Sequence, residues 1–307
     1  MLSFCSGEPT VWTPLEAAET RKPLRIVCTI LPIYVLTLNV VGRSPGVQVD
    51  LLLPAHQGCP HNYDLTPGDL LKMVRADLIV ANGLGLEGFL DQVSRKTRQN
   101  KIPILYSAEK IQPISNRPVQ GHFRIGQKAE TGGHDHQEKI NGHAWVSPKA
   151  AAVMVRTIAD GLIALTPQQA TEFRANAERY ARKLEDLSEA MKGWVTKARN
   201  NRVLAFHDDL AYFARDIGLN IVGVVQVQAG IEPSSRELAR LMTLIKDRQV
   251  AALFSEPQYS DKVVRTLSRE TGIPFFELDP LATGNPRADA YERAMEKNYK
   301  ILQKALK

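Results

Sequence analysis

The chain has 307 residues, 44% hydrophobic and 23% charged, with a formal net charge of +6, a length that favours two cores over one. No stretch reaches the roughly 18 unbroken apolar residues of a membrane span. Lys and Arg are interspersed with Asp and Glu without a compact basic run, so the surplus reads as solvated surface and nucleic acid is not expected as a partner.

Residues 1–22 read as a leader with neither a charged n-region nor an apolar h-region, so no export signal is visible. Leu24–Ile30 is a near-continuous apolar run, the signature of a strand buried on both faces of a parallel sheet. Val47–Leu53 is a second strand. Thr66-Pro67-Gly68-Asp69 opens a helix, with Thr66 as N-cap and Pro67 at the first position. Leu78–Ala81 and Ile104–Tyr106 are further strands, separated by a helix around Gly88–Thr97. The alternation predicts a parallel α/β lobe. From 112 to 142 the pattern gives way to Pro, Gly, Gln, Lys and His, a long loop. Order returns at the Ser147-Pro148 cap, which starts a helix to about Ala164.

The most regular segment follows. Phe173, Ala177, Tyr180, Leu184, Leu187, Met191 and Trp194 step alternately by four and three along one helical stripe. At ~1.5 Å per residue such a helix outspans a small lobe, which predicts a spine joining two lobes; a dimeric coiled coil is the alternative. The βα rhythm then resumes, with strands at Val203–Phe206, Ile221–Val225, Val250–Phe254 and Pro274–Leu278. The intervening helices include one opened by the Ser234–Glu237 capping box, and a final helix occupies Ala288–Leu306. The predicted organisation is a leader (1–22), an α/β lobe (23–166, with the loop 112–142), a linking helix (167–199) and a second α/β lobe (200–307). A monomer is expected.

Ligands of open parallel sheets bind beyond the carboxyl ends of the strands. The metal-capable side chains expected there are His61, after the second strand, His207, after Val203–Phe206, and Asp279, after Pro274–Leu278. His143 joins them from the Gly142-His143-Ala144-Trp145 turn. Three imidazoles and a carboxylate suit zinc. Their wide separations match no local zinc signature, and a histidine at a strand end is more often a capping or core residue than a ligand.

Six stretches are similar to the solute-binding receptors of zinc and manganese ABC importers, the group whose two lobes share one long helix. They are Pro60-His61-Asn62-Tyr63-Asp64-Leu65-Thr66-Pro67, Ala76-Asp77-Leu78-Ile79-Val80-Ala81-Asn82-Gly83-Leu84-Gly85-Leu86-Glu87, His143-Ala144-Trp145-Val146-Ser147-Pro148, Phe206-His207-Asp208-Asp209-Leu210-Ala211-Tyr212-Phe213, Ser255-Glu256-Pro257-Gln258 and Leu278-Asp279-Pro280-Leu281. The resemblance runs in order over about Leu24–Lys307. It implies a two-lobed α/β fold with a metal held in the cleft by His61, His143, His207 and Asp279. It also implies an extracytoplasmic or membrane-anchored location, a membrane permease as partner and room for a metal-donor protein. Cys59 stands where the family commonly has an acidic residue, Asp64-Leu65 replaces its usual Glu-Pro, and Ser147 replaces an acidic residue.

Manganese carriers of the group often have a glutamate at the third ligand position. His207 there favours Zn2+, since imidazole suits zinc better than manganese; Mn2+ is the alternative. Histidines in the loop, His122, His134 and His136, resemble a metal-gathering tether, or else belong to a solvated linker. Glu256 could orient a ligand imidazole, act as a base on zinc-bound water, or lie at the surface. Cys28 and Cys59 could pair in an oxidising compartment, the alternative being two small buried residues. Four protein ligands would leave no open position for a substrate water, so a binding protein is expected rather than a zinc hydrolase. A siderophore or cobalamin binder would need an aromatic or arginine-lined cleft.

Overall fold

A computed structural model of the chain describes residues 22–58, 63–90, 102–115, 122–125, 140–227, 233–258 and 260–307, with backbone only at 122–125 and 226–227. The first sheet has the order β2-β1-β3-β4, all parallel, from β1 (Leu24–Cys28), β2 (Val47–Leu51), β3 (Leu78–Ala81) and β4 (Ile104–Tyr106). Central β3 is buried at every residue, as expected where helices cover both faces. Helix α1 (Leu31–Val41) follows β1, and α2 (Pro67–Val74) begins at a capping box in which Thr66 and Asp69 satisfy each other's backbone N–H groups. Asp69 also accepts from the Tyr63 hydroxyl at 2.9 Å. Burial opposes its ionisation, but the bonds from Thr66 and Tyr63 outweigh that and hold its pKa below the usual value.

Helix α3 (Pro148–Leu165) is capped by the Ser147 hydroxyl, and α4 (Ala170–Val195) is the predicted spine, 26 residues or ~39 Å long. Phe173, Ala177, Tyr180, Leu184 and Met191 are buried as expected, but Trp194 is 37% exposed and Val195 takes the core position. A stripe stepping by four and three has a 3.5-residue period, which only a supercoiled helix can keep inward. The buried set, with Ser188 and Val195, averages about 3.7 residues per step, close to an ordinary helix. Arg156 ties α3 to α4 through Glu178 (2.9 Å) and Glu185 (2.5 Å).

The second sheet has the order β5-β7-β6-β8-β9, also parallel, from β5 (His122–Ile125), β6 (Arg202–Ala205), β7 (Asn220–Val227), β8 (Ala252–Ser255) and β9 (Phe275–Glu277). Helices α5 (Ala211–Ile217), α6 (Ser235–Asp247), α7 (Lys262–Thr271) and α8 (Ala290–Ala305) complete it. Strand β5 corrects the reading of 112–142 as an unstructured loop: four residues too few to show a period become a strand because β7 offers an unpaired edge. They extend the second sheet, not the first.

Cys28 is a buried free thiol, its pKa pushed up to about 12 chiefly by burial, which matches the alternative of a small core residue. Cys59 lies outside the described residues, as does Cys5. One hydrophobic core runs from the first sheet through α1, α3 and α4 into Tyr212, Phe213, Leu278 and Tyr291 of the second half. A smaller core lies between the second sheet and α6 and α7. Among the described residues no helix is long and apolar enough to cross a membrane.

Candidate metal centre

The sheet order brings the second-lobe candidates side by side. His207 follows β6, Glu256 follows β8 and Asp279 lies just beyond β9, three adjacent strands leaving the sheet at their carboxyl ends. Asp279 is held on both sides. Its backbone N–H donates to Asn298 Oδ1 (2.9 Å), its carbonyl accepts from Asn298 Nδ2 (2.8 Å), and its Oδ1 accepts from the Leu281 N–H (2.8 Å). His207 is half-buried, and its pKa is lowered, mainly by burial; Asp209 and Asp208 work against that, and His143 adds to it. One side chain links their neighbourhoods: Asn141 accepts the His143 N–H and donates to the Asp208 carbonyl beside His207. Glu256 is buried, which removes the surface alternative, and its Oε2 accepts from the Gln258 side chain.

His143 reaches this region from the first half of the chain. It caps a single 3-10 turn, Ala144–Val146, immediately before Ser147. Gly142 precedes it because the backbone passes against Leu86: an added Cβ would lie 2.8 Å from Leu86 Cδ1 and 3.0 Å from Leu86 Cβ. The Gly142 carbonyl accepts from Asn82 Nδ2 at 2.8 Å. Asn82 and Gly83 in turn donate their N–H groups to the buried Glu87 carboxylate (2.7 and 3.0 Å), which also accepts from Thr29 (2.7 Å). Burial raises the Glu87 pKa despite these bonds. Asn82, Gly83 and Glu87 therefore form a buried bracket behind the turn that carries His143.

His61 lies outside the described residues, as do His134 and His136. The flanks of His61 are placed: Ala55 accepts from the Gly284 N–H at 3.0 Å, five residues beyond Asp279, and Tyr63 is bonded to Asp69. The backbone of His122 lies in β5 opposite Val224, and β5 runs toward the same sheet end as β6, β8 and β9. His56 is exposed. Among the described residues no three His, Cys, Asp or Glu side chains are gathered closely enough to hold a metal; His143, His207 and Asp279 are linked through their neighbours.

Two parallel sheets on one long helix, with histidines and an aspartate at the strand ends, are matched by a known family. The sequence model described as zinc-uptake complex component A, periplasmic (ZnuA) fits residues 26–305. The chain belongs to the ZnuA family. It is 27% identical over 276 residues to the zinc-binding protein AdcA of Streptococcus pyogenes, covering 88% of this chain and 53% of AdcA. It is 26% identical over 269 residues to the high-affinity zinc uptake system protein ZnuA of Yersinia pestis, covering 84% and 83%. The chain thus spans about half the length of the AdcA relatives it matches. Among solved structures, the Zn(II)-bound ZnuA-like domain of Streptococcus pneumoniae AdcA superposes with a TM-score of 0.74 at 26% identity, over 92% of this chain and 99% of that one. The solute-binding protein FpvC of Pseudomonas aeruginosa in complex with Mn2+ gives 0.77 at 28%, over 93% and 99%.

Sequence reasoning assigned no role to Asn82, Glu87, Asn141, Trp145 or Asn298. Only Asn298 left a plain signal: it interrupts the buried stripe of α8 formed by Tyr291, Ala294, Met295 and Leu302, and a polar side chain in a core position has a partner.

Proposed function

We propose that this chain captures a zinc ion outside the cytoplasmic membrane and hands it to the permease of an ABC importer, with His61, His143, His207 and Asp279 as ligands. The observation that supports the reading is that, in a ZnuA-family chain, Asn141 and Trp145 bond the His143 turn to the backbone beside His207 and Asp279, which follow strands at the same end of the second sheet. Neutral imidazoles and one carboxylate suit zinc, with bonds of about 2.0–2.2 Å. Four protein ligands close the sphere, so the chemistry is capture and release, not hydrolysis. The lobes are those bounded at 23–166 and 200–307, joined by 167–199, except that 122–125 adds its strand to the second. The chain works as a monomer, with a metal-donor protein as a further partner. His122, His134 and His136 lie on the segment that gathers metal near the cleft.

A second reading, a manganese receptor, is favoured by one observation: FpvC, 28% identical, was solved with Mn2+ bound. His207 argues against it, because manganese prefers more oxygen donors. The test is metal analysis of protein purified without added metal, followed by thermal melts with zinc and with manganese. At 1,000-fold over the dissociation constant, zinc should stabilise the fold by about 4 kcal/mol. A melting temperature that does not rise with zinc sinks the receptor reading; a larger rise with manganese at equal concentration selects the second.

A further inference from the structure

We propose that Asn141 and Trp145 are positioning residues that lock His143 to the second lobe, presetting His143, His207 and Asp279 as one unit before metal arrives. This rests on the receptor reading above.

Asn141 is buried and each of its polar groups is engaged. Its backbone N–H donates to the Ile114 carbonyl (2.8 Å), and its carbonyl accepts from the Tyr212 hydroxyl (2.8 Å). Its Nδ2 donates to the Asp208 carbonyl at 2.6 Å. A carbonyl only accepts, so the amide has one orientation, with Oδ1 toward His143. There Oδ1 accepts the His143 N–H (2.9 Å) and lies 3.1 Å from the ring Nδ1. An amide oxygen also only accepts, so Nδ1 carries the proton and Nε2 the lone pair a metal needs. One side chain therefore sets the tautomer of His143 and holds the backbone next to His207.

Trp145 performs the matching task toward Asp279. Its indole stands edge-on to the His143 ring, with centroids 5.2 Å apart, and its Nε1 donates to the Pro280 carbonyl at 2.8 Å. The Trp145 carbonyl accepts from the Tyr291 hydroxyl of α8 at 2.6 Å. The same helix supplies Asn298, which brackets Asp279. Trp145 is thus fixed by one contact from α8 while it fixes the residue after Asp279.

Simple adhesion between the halves would predict a loss of stability with no change in the metal's surroundings. Ser147 supplies the comparison: its hydroxyl also crosses between the halves, to Asp216 Oδ2 at 2.6 Å, but joins no candidate ligand. The experiment measures zinc affinity by chelator competition, and the visible absorption of the Co2+-loaded full chain, in wild type, Asn141→Ala, Asn141→Asp, Trp145→Phe, Tyr212→Phe and Ser147→Ala. Asn141→Ala and Trp145→Phe should weaken zinc about ten- to a hundred-fold and shift the cobalt spectrum. Asn141→Asp keeps the acceptor for His143 and should restore part of both. Tyr212→Phe removes only the hydroxyl behind Asn141, and should give a smaller shift in the same direction even where Asn141→Ala does not fold. Ser147→Ala should lower the melting temperature and leave the spectrum unchanged. Wild-type affinity and spectrum in the folded Asn141 and Trp145 variants, or an equal spectral shift in Ser147→Ala, would overturn the proposal. Wild-type protein that takes up neither zinc nor cobalt would overturn the receptor reading itself.

Discussion

At the scale of single residues, the primary site and the loop histidines should separate cleanly. His143 is buried and oriented by Asn141, so removing it deletes a preset donor. His143→Ala should weaken zinc binding by orders of magnitude, whereas His134→Ala should stay within a few-fold of wild type in equilibrium affinity. Equal effects in chelator competition would mean the site is misplaced. The pH dependence follows from His207. Its pKa is depressed, mainly by burial, below the ordinary value of about 6.5, so the unfolded chain binds the proton more readily than the fold does. Its neutral form stabilises the fold above about 6.5, and that contribution is lost as pH falls through the lower folded value. Zinc competes with the same proton. Affinity should be flat above about pH 7 and decline below about 6.5; an affinity unchanged down to pH 5 would argue against imidazole ligation. Candidate ligands could be named at this scale from donor chemistry and family resemblance, but the residues that support them could not. Asn141 and Trp145 stand within two residues of His143, yet their partners lie 67 and 135 positions away.

At the scale of elements, caps and turns read locally because their chemistry is local. Thr66, Ser147 and Ser234 cap the helices expected of them, since the bonds span only three residues. The spine's existence was equally plain, but its buried edge was not, because a stripe drawn at a 3.5 period drifts off a buried set that averages about 3.7 residues per step and leaves Trp194 outside. Helix α3 makes a further prediction at Gly161. A Cβ there would lie 2.5 Å from Leu105 Cδ2 on β4 and 3.3 Å from Cγ. Alanine gains about 1 kcal/mol of helix propensity and overpacks the interface by about 1–3 kcal/mol. The crowded Cδ atoms are the end of a half-buried side chain that can turn aside, so the cost lies at the low end and Gly161→Ala should leave the urea midpoint and slope close to wild type. A large fall in the midpoint would mean that Leu105 cannot move.

At the scale of the whole molecule, the two sheets share one continuous core through α3 and α4, and the ion pairs of Arg156 stiffen that junction. Wide opening would expose this core, so metal capture should move the lobes little. Small-angle scattering of metal-free and zinc-loaded protein should give superimposable radii of gyration; a clear contraction on loading would show a hinge that the packing does not support. The sequence by itself determined the fold class, the helical spine, the capped helix starts and which side chains could serve as ligands, because periodicity, capping and donor chemistry are properties of neighbouring residues. Only the tertiary structure decided that Cys28 stays a free core thiol, that 122–125 joins the second sheet, and that Asn141, Trp145 and Asn298 tie the candidate ligands together. Strand order and the partners of buried amides are set by contacts between residues far apart in the chain, and no local pattern carries them.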